Sequence, residues 1–293
     1  MPTINTRVLM SDARSFSNEL QINPYYHNES VDIDAAVREH THLRVTIEQA
    51  DITVEQVSAP TDSQDGVYTA NWALIRGNKA IMARLPDARK AEEAHAQLAL
   101  HSMGLETIQV PEDWRFSGQG DALPCGRYLF CGQGYRSDVR AQAFAAEELG
   151  YERIQLQTKP LLDEHGTPKI NEASGWEDSF YYDIDLAMAI IRPPSTDNKG
   201  IIAFCQEAFT DESVQTILSL SDEFEFIFVS EEEATTAFAC NLVSTGETVI
   251  MSAHAPELKG KLEEYGLRIL TPKVVELAKG GGFIRCQTLT FHE

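Results

Sequence analysis

The chain repeats one local pattern. A helical stretch rich in Ala, Leu, Glu and Lys reaches a glycine or a polar turn, and a short alternating strand follows. The joints read Ser102-Met103-Gly104-Leu105-Glu106-Thr107-Ile108-Gln109-Val110, Leu149-Gly150-Tyr151-Glu152-Arg153-Ile154-Gln155-Leu156 and Tyr265-Gly266-Leu267-Arg268-Ile269-Leu270. Gln49 to Val54 is a version without the glycine, and Ser221 to Phe228 is a looser one. Glycine suits the residue after a helix because it takes up the left-handed backbone there without a steric cost. At least one more apolar segment follows each strand, at 67–75 with 79–84, 127–133, 183–191, 247–252 and 283–291. Units of this kind recurring at roughly 50-residue intervals are the mark of a repeat architecture. Five such modules around one axis would pool their inner strand ends into a central site, as propellers do. An open α/β sheet has the same joints, so the joints alone leave both arrangements open.

No Pro- or Ser-rich linker interrupts the pattern, so we expect one domain over 1–293. Residues 158–179 are polar and poorly periodic and read as an inserted surface loop; loops longer than ~15 residues in compact domains are often functional. Composition narrows the partners. Lys plus Arg is 24 and Asp plus Glu is 45, a formal charge of −21. Such a field repels phosphate, which argues against nucleic acid or an anionic membrane surface and favours a small cation. No run approaches the ~18 apolar residues of a membrane-spanning helix. Met1 to Arg7 lacks a basic segment followed by an apolar one, so no secretory leader is expected. The five cysteines, at 125, 131, 205, 240 and 286, are odd in number and form no CxxC pair. Reduced thiols in a cytoplasmic protein fit that pattern better than disulfides or structural zinc. No metal cluster or cofactor motif is visible, and we expect no cofactor.

Four constellations carry chemistry. Gly280-Gly281-Gly282-Phe283-Ile284-Arg285-Cys286 places a thiol after three glycines that permit close backbone approach. Cys286 reads either as a thiolate nucleophile or as a small buried residue on a terminal strand running to Phe291. In Tyr181-Tyr182-Asp183-Ile184-Asp185-Leu186, a strand would put both carboxylates on one face. Buried together they need a cation; at a solvated strand end they need none. Ser117-Gly118-Gln119-Gly120-Asp121 is a turn that delivers a carboxylate, and Gly132-Gln133-Gly134-Tyr135-Arg136 follows the strand Arg127 to Cys131. Neither glycine pair has the lysine or the strand–helix setting of a phosphate loop. Arg136 can pair bidentately with a ligand carboxylate, or with a surface acid. Asp65 and Asn71 bracket a strand-like run, and Arg84 ends the next; plain turn chemistry also accounts for all three.

In this order the motifs resemble the pentein superfamily of guanidine-modifying enzymes, which includes arginine deiminases, dimethylarginine dimethylaminohydrolases and amidinotransferases. The resemblance runs from Arg7-Val8-Leu9-Met10 and Ile22-Asn23-Pro24-Tyr25 through Val67 to Asn71, Gly134 to Asp138 and Ala239-Cys240-Asn241-Leu242-Val243. It closes on Gly280 to Leu289, where Gly-Gly-Gly-x-x-Arg-Cys-x-Thr is the most specific part. The resemblance implies a five-bladed, pseudo-symmetric α/β propeller with a central site. It implies Cys286 as the nucleophile, Asp121 as a ligand of the guanidinium, and Arg136 with Arg84 as holders of the substrate α-carboxylate. Asn71 and Asp65 then line the opposite wall.

Two positions depart from the family pattern. Ser117 stands where the family turn carries Glu, and the His-x-Asp segment maps onto either Tyr181/Asp183 or Asp183/Asp185, with no histidine in either register. The family histidine protonates the leaving amine and then activates water, a role worth roughly 10²–10⁴ in rate. Of other histidines, His292 along the terminal strand is too far from Cys286, His254 has nothing directing it inward, and His165 could fold over from the 158–179 loop. The expected function is a cysteine-dependent hydrolase or amidinotransferase of a guanidino or ureido compound, with Asp183 in the proton-handling position and the cation held between Asp121 and Asp185 (or Asp183). The alternative is a pentein-fold binding protein whose chemistry has decayed. The expected partner is a small cationic guanidino substrate; a homo-oligomer stays open.

Overall fold

The structure, a computed structural model of the chain, describes residues 3–26 and 30–293. Of the N-terminal segment read above, Met1 and Pro2 lie outside the described residues. One unit recurs five times: a strand, an antiparallel partner, a crossover helix and a third strand parallel to the second. The first contains β1 (Arg7–Met10), α1 (Ile33–Glu48) and β2 (Thr53–Gln56). The second is β3 (Ala73–Arg76), β4 (Lys79–Met82), α2 (Ala91–Ser102) and β5 (Glu106–Gln109), and the third is β6 (Ala122–Cys125), β7 (Tyr128–Cys131), α3 (Val139–Leu149) and β8 (Glu152–Gln155). The fourth is β9 (Met188–Arg192), β10 (Gly200–Phe204), α4 (Asp211–Leu218) and β11 (Phe224–Phe228). After the short helix α5 (Glu231–Thr236), the fifth has β12 (Val243–Ser244), β13 (Thr248–Ile250), α6 (Pro256–Glu264) and β14 (Arg268–Leu270). The last strand, β15 (Leu289–Thr290), returns to pair antiparallel with β1, Leu9 opposite Leu289. It supplies the strand the first unit lacks, so the two ends of the chain complete one blade. The repeat is a five-bladed α/β propeller.

The joints explain why each helix stops where it does. Gly104, Gly150 and Gly266 have φ of 86°, 67° and 74°. At the glycine-free joint Asp51 takes the same conformation, φ 60°, which Asp tolerates better than most side chains. Each helix then lays an apolar stripe on its own sheet. On α1 the stripe is Ala36, Leu43 and Ile47, all buried, and each of the two larger side chains contributes about 1.5–3 kcal/mol by leaving water.

Two local expectations are corrected. Asp183 and Asp185 do not share a strand face, because a 3-10 turn, Ile184–Leu186, separates Asp183 from β9. Nor is Phe283 to Phe291 one strand: only Leu289–Thr290 pairs, because the N–H groups of Phe283 and Cys286 are taken by the side chain of Asn241. The 158–179 segment is the surface loop expected, largely exposed and held by the bridges Leu162–Pro168 and Ile170–Glu177.

Candidate functional site

Three carboxylates meet where the inner turns of different blades converge. Asp121 follows the Gly118–Gly120 turn that leads into β6, and its Oδ1 accepts the Ile184 N–H at 3.1 Å. That peptide lies between Asp183 and Asp185, so one hydrogen bond draws the two segments together. Asp183 Oδ2 accepts from Asn71 Nδ2 at 2.7 Å. Asp185 Oδ2 lies 3.5 Å from the Cys286 sulfur, whose thiol donates to it. All three acids are buried, and one oxygen of each, Asp121 Oδ2, Asp183 Oδ1 and Asp185 Oδ1, has no hydrogen-bond partner among the described residues. Buried carboxylate oxygens without partners are costly. Burial, reinforced by the negative field of Asp183, pushes Asp121 and Asp185 well above the usual carboxylate range. A cation among them would reverse both effects.

Cys286 is shut away from solvent. Its backbone N–H donates to Asn241 Oδ1 at 3.1 Å, and Asn241 Nδ2 donates to the sulfur at 3.1 Å. Burial and the nearby Asp185 and Asp183 raise the thiol pKa well above its ordinary value, opposed by the Phe283 N–H and by Asn241. The glycine run makes room for this packing. A Cβ on Gly282 would stand 2.6 Å from the Tyr68 ring, and one on Gly281 would stand 2.3 Å from Asn23 Oδ1. Asn23 in turn donates to the Gly280 carbonyl at 3.0 Å and ties the segment that carries Ile22 to the glycines.

Arg136 donates to the Ile22 carbonyl at 3.0 Å, and its guanidinium lies 4.0 Å over the Tyr182 ring. Tyr182 donates to the Gly281 carbonyl at 2.7 Å. Arg136 is buried and makes no ion pair among the described residues. It is therefore a cation held beside the cluster with its charge uncommitted. Asn71 also donates to Ser117 Oγ at 2.8 Å. Ser117, standing at the glutamate position of the resembled family, is thus a spacer that bonds Asn71.

The other candidates fall differently. Asp65 is buried and accepts the Tyr26 hydroxyl at 2.6 Å; burial pushes it up to about 6, while Arg89 pulls it down. Arg84 makes none of the contacts of the cluster. Its Nε donates to the Val110 carbonyl at 2.7 Å and its Nη1 pairs with Glu93 at 3.0 Å, beside Trp114 and Arg115 in a separate surface cavity. Arg89, which sequence reasoning missed, reaches the cluster through Asn71. It donates to Asn71 Oδ1 at 2.8 Å and forks onto Glu92 at 2.8 and 2.6 Å. Arg89 and Glu92, three apart, were readable as a pair, but nothing marked the pair as buried. Asn241 was missed as a site residue although its segment carried the resemblance. Among the described residues no histidine is hydrogen-bonded to Cys286 or to the three acids. His165 and His254 are exposed, and His165 Nε2 faces Glu164 at 3.5 Å.

The family model for eukaryotic N,N dimethylarginine dimethylhydrolase matches residues 6–293. A bifunctional arginine dihydrolase/ornithine cyclodeaminase, ArgZ of Synechocystis, is 28% identical over 98% of this chain, and the chain spans 38% of the length of that relative. The N(G),N(G)-dimethylarginine dimethylaminohydrolase of Mycobacterium tuberculosis is 28% identical over 98% of the chain and 86% of its own length. Among solved structures, the substrate-bound N-terminal domain of cyanobacterial ArgZ, in a cysteine-to-serine variant, superposes with a TM-score of 0.84 at 26% identity, covering 98% of both chains.

Proposed function

Since the chain belongs to the N,N dimethylarginine dimethylhydrolase family, we propose that it is a cysteine-dependent hydrolase of a guanidino amino acid. The observation that carries this reading is the arrangement of uncommitted charge. Three partnerless carboxylate oxygens and the Cys286 sulfur meet beside a buried Arg136 with no acid of its own. A guanidinium fits the acids and an α-carboxylate fits Arg136.

In this reading the cation lies between Asp121 and Asp185, and its charge relieves the burial of both. The thiol proton passes to Asp185, and the sulfur adds to the guanidinium carbon. The C–N bond to the leaving amine breaks as that nitrogen takes a proton, leaving a thiouronium on Cys286. Water then adds, the C–S bond breaks, and the products are a ureido compound, the amine and the free thiol. Asp183, with Oδ1 unpartnered, is the group we assign to pass that thiol proton on from Asp185 to the amine and then to take one from water. Removing either guanidinium ligand should cost several kcal/mol of transition-state stabilisation, on the order of that of other preorganised charges.

A second reading is favoured by one observation. Asp185 beside the sulfur opposes thiolate formation, which suits a receptor for guanidino amino acids that no longer turns them over. One experiment separates the two. The protein is incubated with arginine, methylated arginines, agmatine and citrulline while ureido product and ammonia are followed, with Cys286→Ser in parallel. Hydrolysis that Cys286→Ser abolishes supports the enzyme. Hydrolysis that survives the substitution refutes it, and a rise in melting temperature with arginine but no product supports the receptor.

A further inference from the structure

A second cavity lies beside the same acids and the function above does not use it. Its volume is about 380 Å³, and its walls come from the first strands of several blades, the segment before β1 and the residues after β15. Leu123, Met188, Ile190 and Leu242 give it an apolar wall. Asp185 lines it, whereas Cys286 does not. Volume and lining fall within those of small-molecule sites, which run roughly 300–1,000 Å³ with a few placed polar groups.

The polar groups here are unsatisfied. Arg285, which is buried, donates to two neutral acceptors, Thr290 Oγ1 at 2.6 Å and Gln119 Oε1 at 3.1 Å. It makes no ion pair among the described residues. Three buried side-chain atoms without partners also belong to residues of this lining: Asp185 Oδ1, Asn5 Oδ1 and His292 Nε2. Burial and Arg285 lower the His292 pKa to about 3, so its ring is neutral and can accept a hydrogen bond. A buried guanidinium with no acid in ion-pair contact, attracted by Asp185 only from farther off, next to acceptors without donors and an aliphatic wall, is complementary to one kind of molecule.

We propose that this cavity is a second binding site, for an α-amino acid with an aliphatic side chain, whose carboxylate pairs with Arg285 and whose ammonium is received by Asp185 and Asn5. The occupant differs from a guanidino substrate because the wall facing its side chain is apolar. Its ammonium shares Asp185 with the Cys286 thiol, so the two sites touch through one carboxylate.

The test is calorimetric titration of the whole protein at neutral pH with L-norvaline, with pentanoate and butylamine as the anion-only and cation-only halves. L-Norvaline should bind at one site, and each half at least about tenfold more weakly, since a hydrogen-bonded charge contributes that much. Arg285→Gln and Asn5→Leu should each weaken L-norvaline about tenfold or more, and Asp121→Asn should leave it unchanged. Asn5 sits at the edge of the cavity, so its variant decides the matter if Arg285→Gln does not fold. No binding of L-norvaline, pentanoate binding equally well, or loss of binding in Asp121→Asn with retention in Asn5→Leu would each overturn the proposal. The readout is binding and not turnover, so its failure is distinct from failure of the hydrolase reading.

Discussion

Gly132 offers a way to move Asp121 without touching any polar atom. A Cβ built on Gly132 stands 2.2 Å from Asp121 Oδ1 and 3.0 Å from the Ile184 Cβ, where ordinary contact begins near 3.4 Å. Gly132 is not among the residues with positive φ, so alanine brings no backbone strain there. The conflict is with the carboxylate, which must retreat by 3.4 − 2.2 = 1.2 Å. It thereby gives up its bond from the Ile184 N–H, at a cost of about 1–3 kcal/mol in stability. A displacement near 1 Å at a positioned group costs roughly 10²-fold in rate. Gly132→Ala should therefore lower kcat/KM for the guanidino substrate about a hundredfold and leave the protein folded. Gly134→Ala is the matched opposite. Its φ is 110° and no atom lies within 4 Å of the added methyl, so it should cost about 1–3 kcal/mol of backbone strain and leave kcat/KM as it was. Initial rates with urea denaturation on both variants are the assay; where no substrate turns over, arginine affinity replaces the rate. Unchanged activity in Gly132→Ala, or an equal loss in Gly134→Ala, refutes the claim that this glycine exists to seat Asp121.

Three further outcomes follow from the same geometry. Asp65 is held with its pKa raised from 3.8 to about 6, so its contribution to stability is full below 3.8 and is lost as pH rises through 6. At 1.36 kcal/mol per pH unit this is about 3 kcal/mol. Wild-type stability minus that of Asp65→Asn, by urea titration, should fall by that amount between pH 3.5 and 7, and a flat difference contradicts the assignment. Arg136→Gln should raise KM about ten- to a hundredfold through loss of a charged hydrogen bond, while Arg84→Gln, already satisfied by Glu93 and Val110, should leave KM unchanged; equal effects would return Arg84 to the site. Asn241→Ala removes the acceptor of two backbone N–H groups and should cost about 2–4 kcal/mol, read as a lower melting temperature, where an unshifted transition speaks against its anchoring role.

The architecture was legible because each blade spells its own joint. Gly104, Gly150 and Gly266 are needed for a backbone reason that acts within a few residues, so sequence displays it directly. Asp51 obeys the same rule with a different residue, and there the signal was weaker. Strand β10, Gly-Ile-Ile-Ala-Phe, is buried at every position and so shows no alternation. In the site, residues announced by type and local motif lie near one another: Asp121, Asp183, Asp185, Asn71 and Cys286 are linked through hydrogen bonds of their segments, and Arg136 lies over the Tyr182 ring next to Asp183. Arg84 and Arg89 are five apart; Arg84 pairs with the partly buried Glu93 and Arg89 with the fully buried Glu92, successive residues that α2 turns about 100° apart. Neighbouring acids of the same charge look alike in sequence, and burial alone distinguishes them.

In the proposed reading, with Asp183 at the position where the resembled family carries histidine, the timing of thiol ionisation changes. An imidazolium would stabilise a thiolate before substrate arrives; here burial and the acids Asp185 and Asp183 hold the thiol pKa up, against the opposing hydrogen bonds of the Phe283 N–H and Asn241. The resting site therefore holds a neutral thiol hydrogen-bonded to Asp185. In the proposed reading a guanidinium entering between Asp121 and Asp185 would supply positive charge, and the same Coulomb interaction that lowers the acids would also lower the thiol. Ionisation of Cys286 would then belong to the complex and not to the free protein. The consequence is measurable in the ultraviolet absorbance of the thiolate, taken as the difference between the protein and Cys286→Ser. At neutral pH that signal should be absent from the free protein and should grow on addition of a guanidino amino acid that is not turned over. A thiolate band already present without ligand would mean that the acids beside the sulfur do not set its charge, and the substrate-triggered scheme would fall with them.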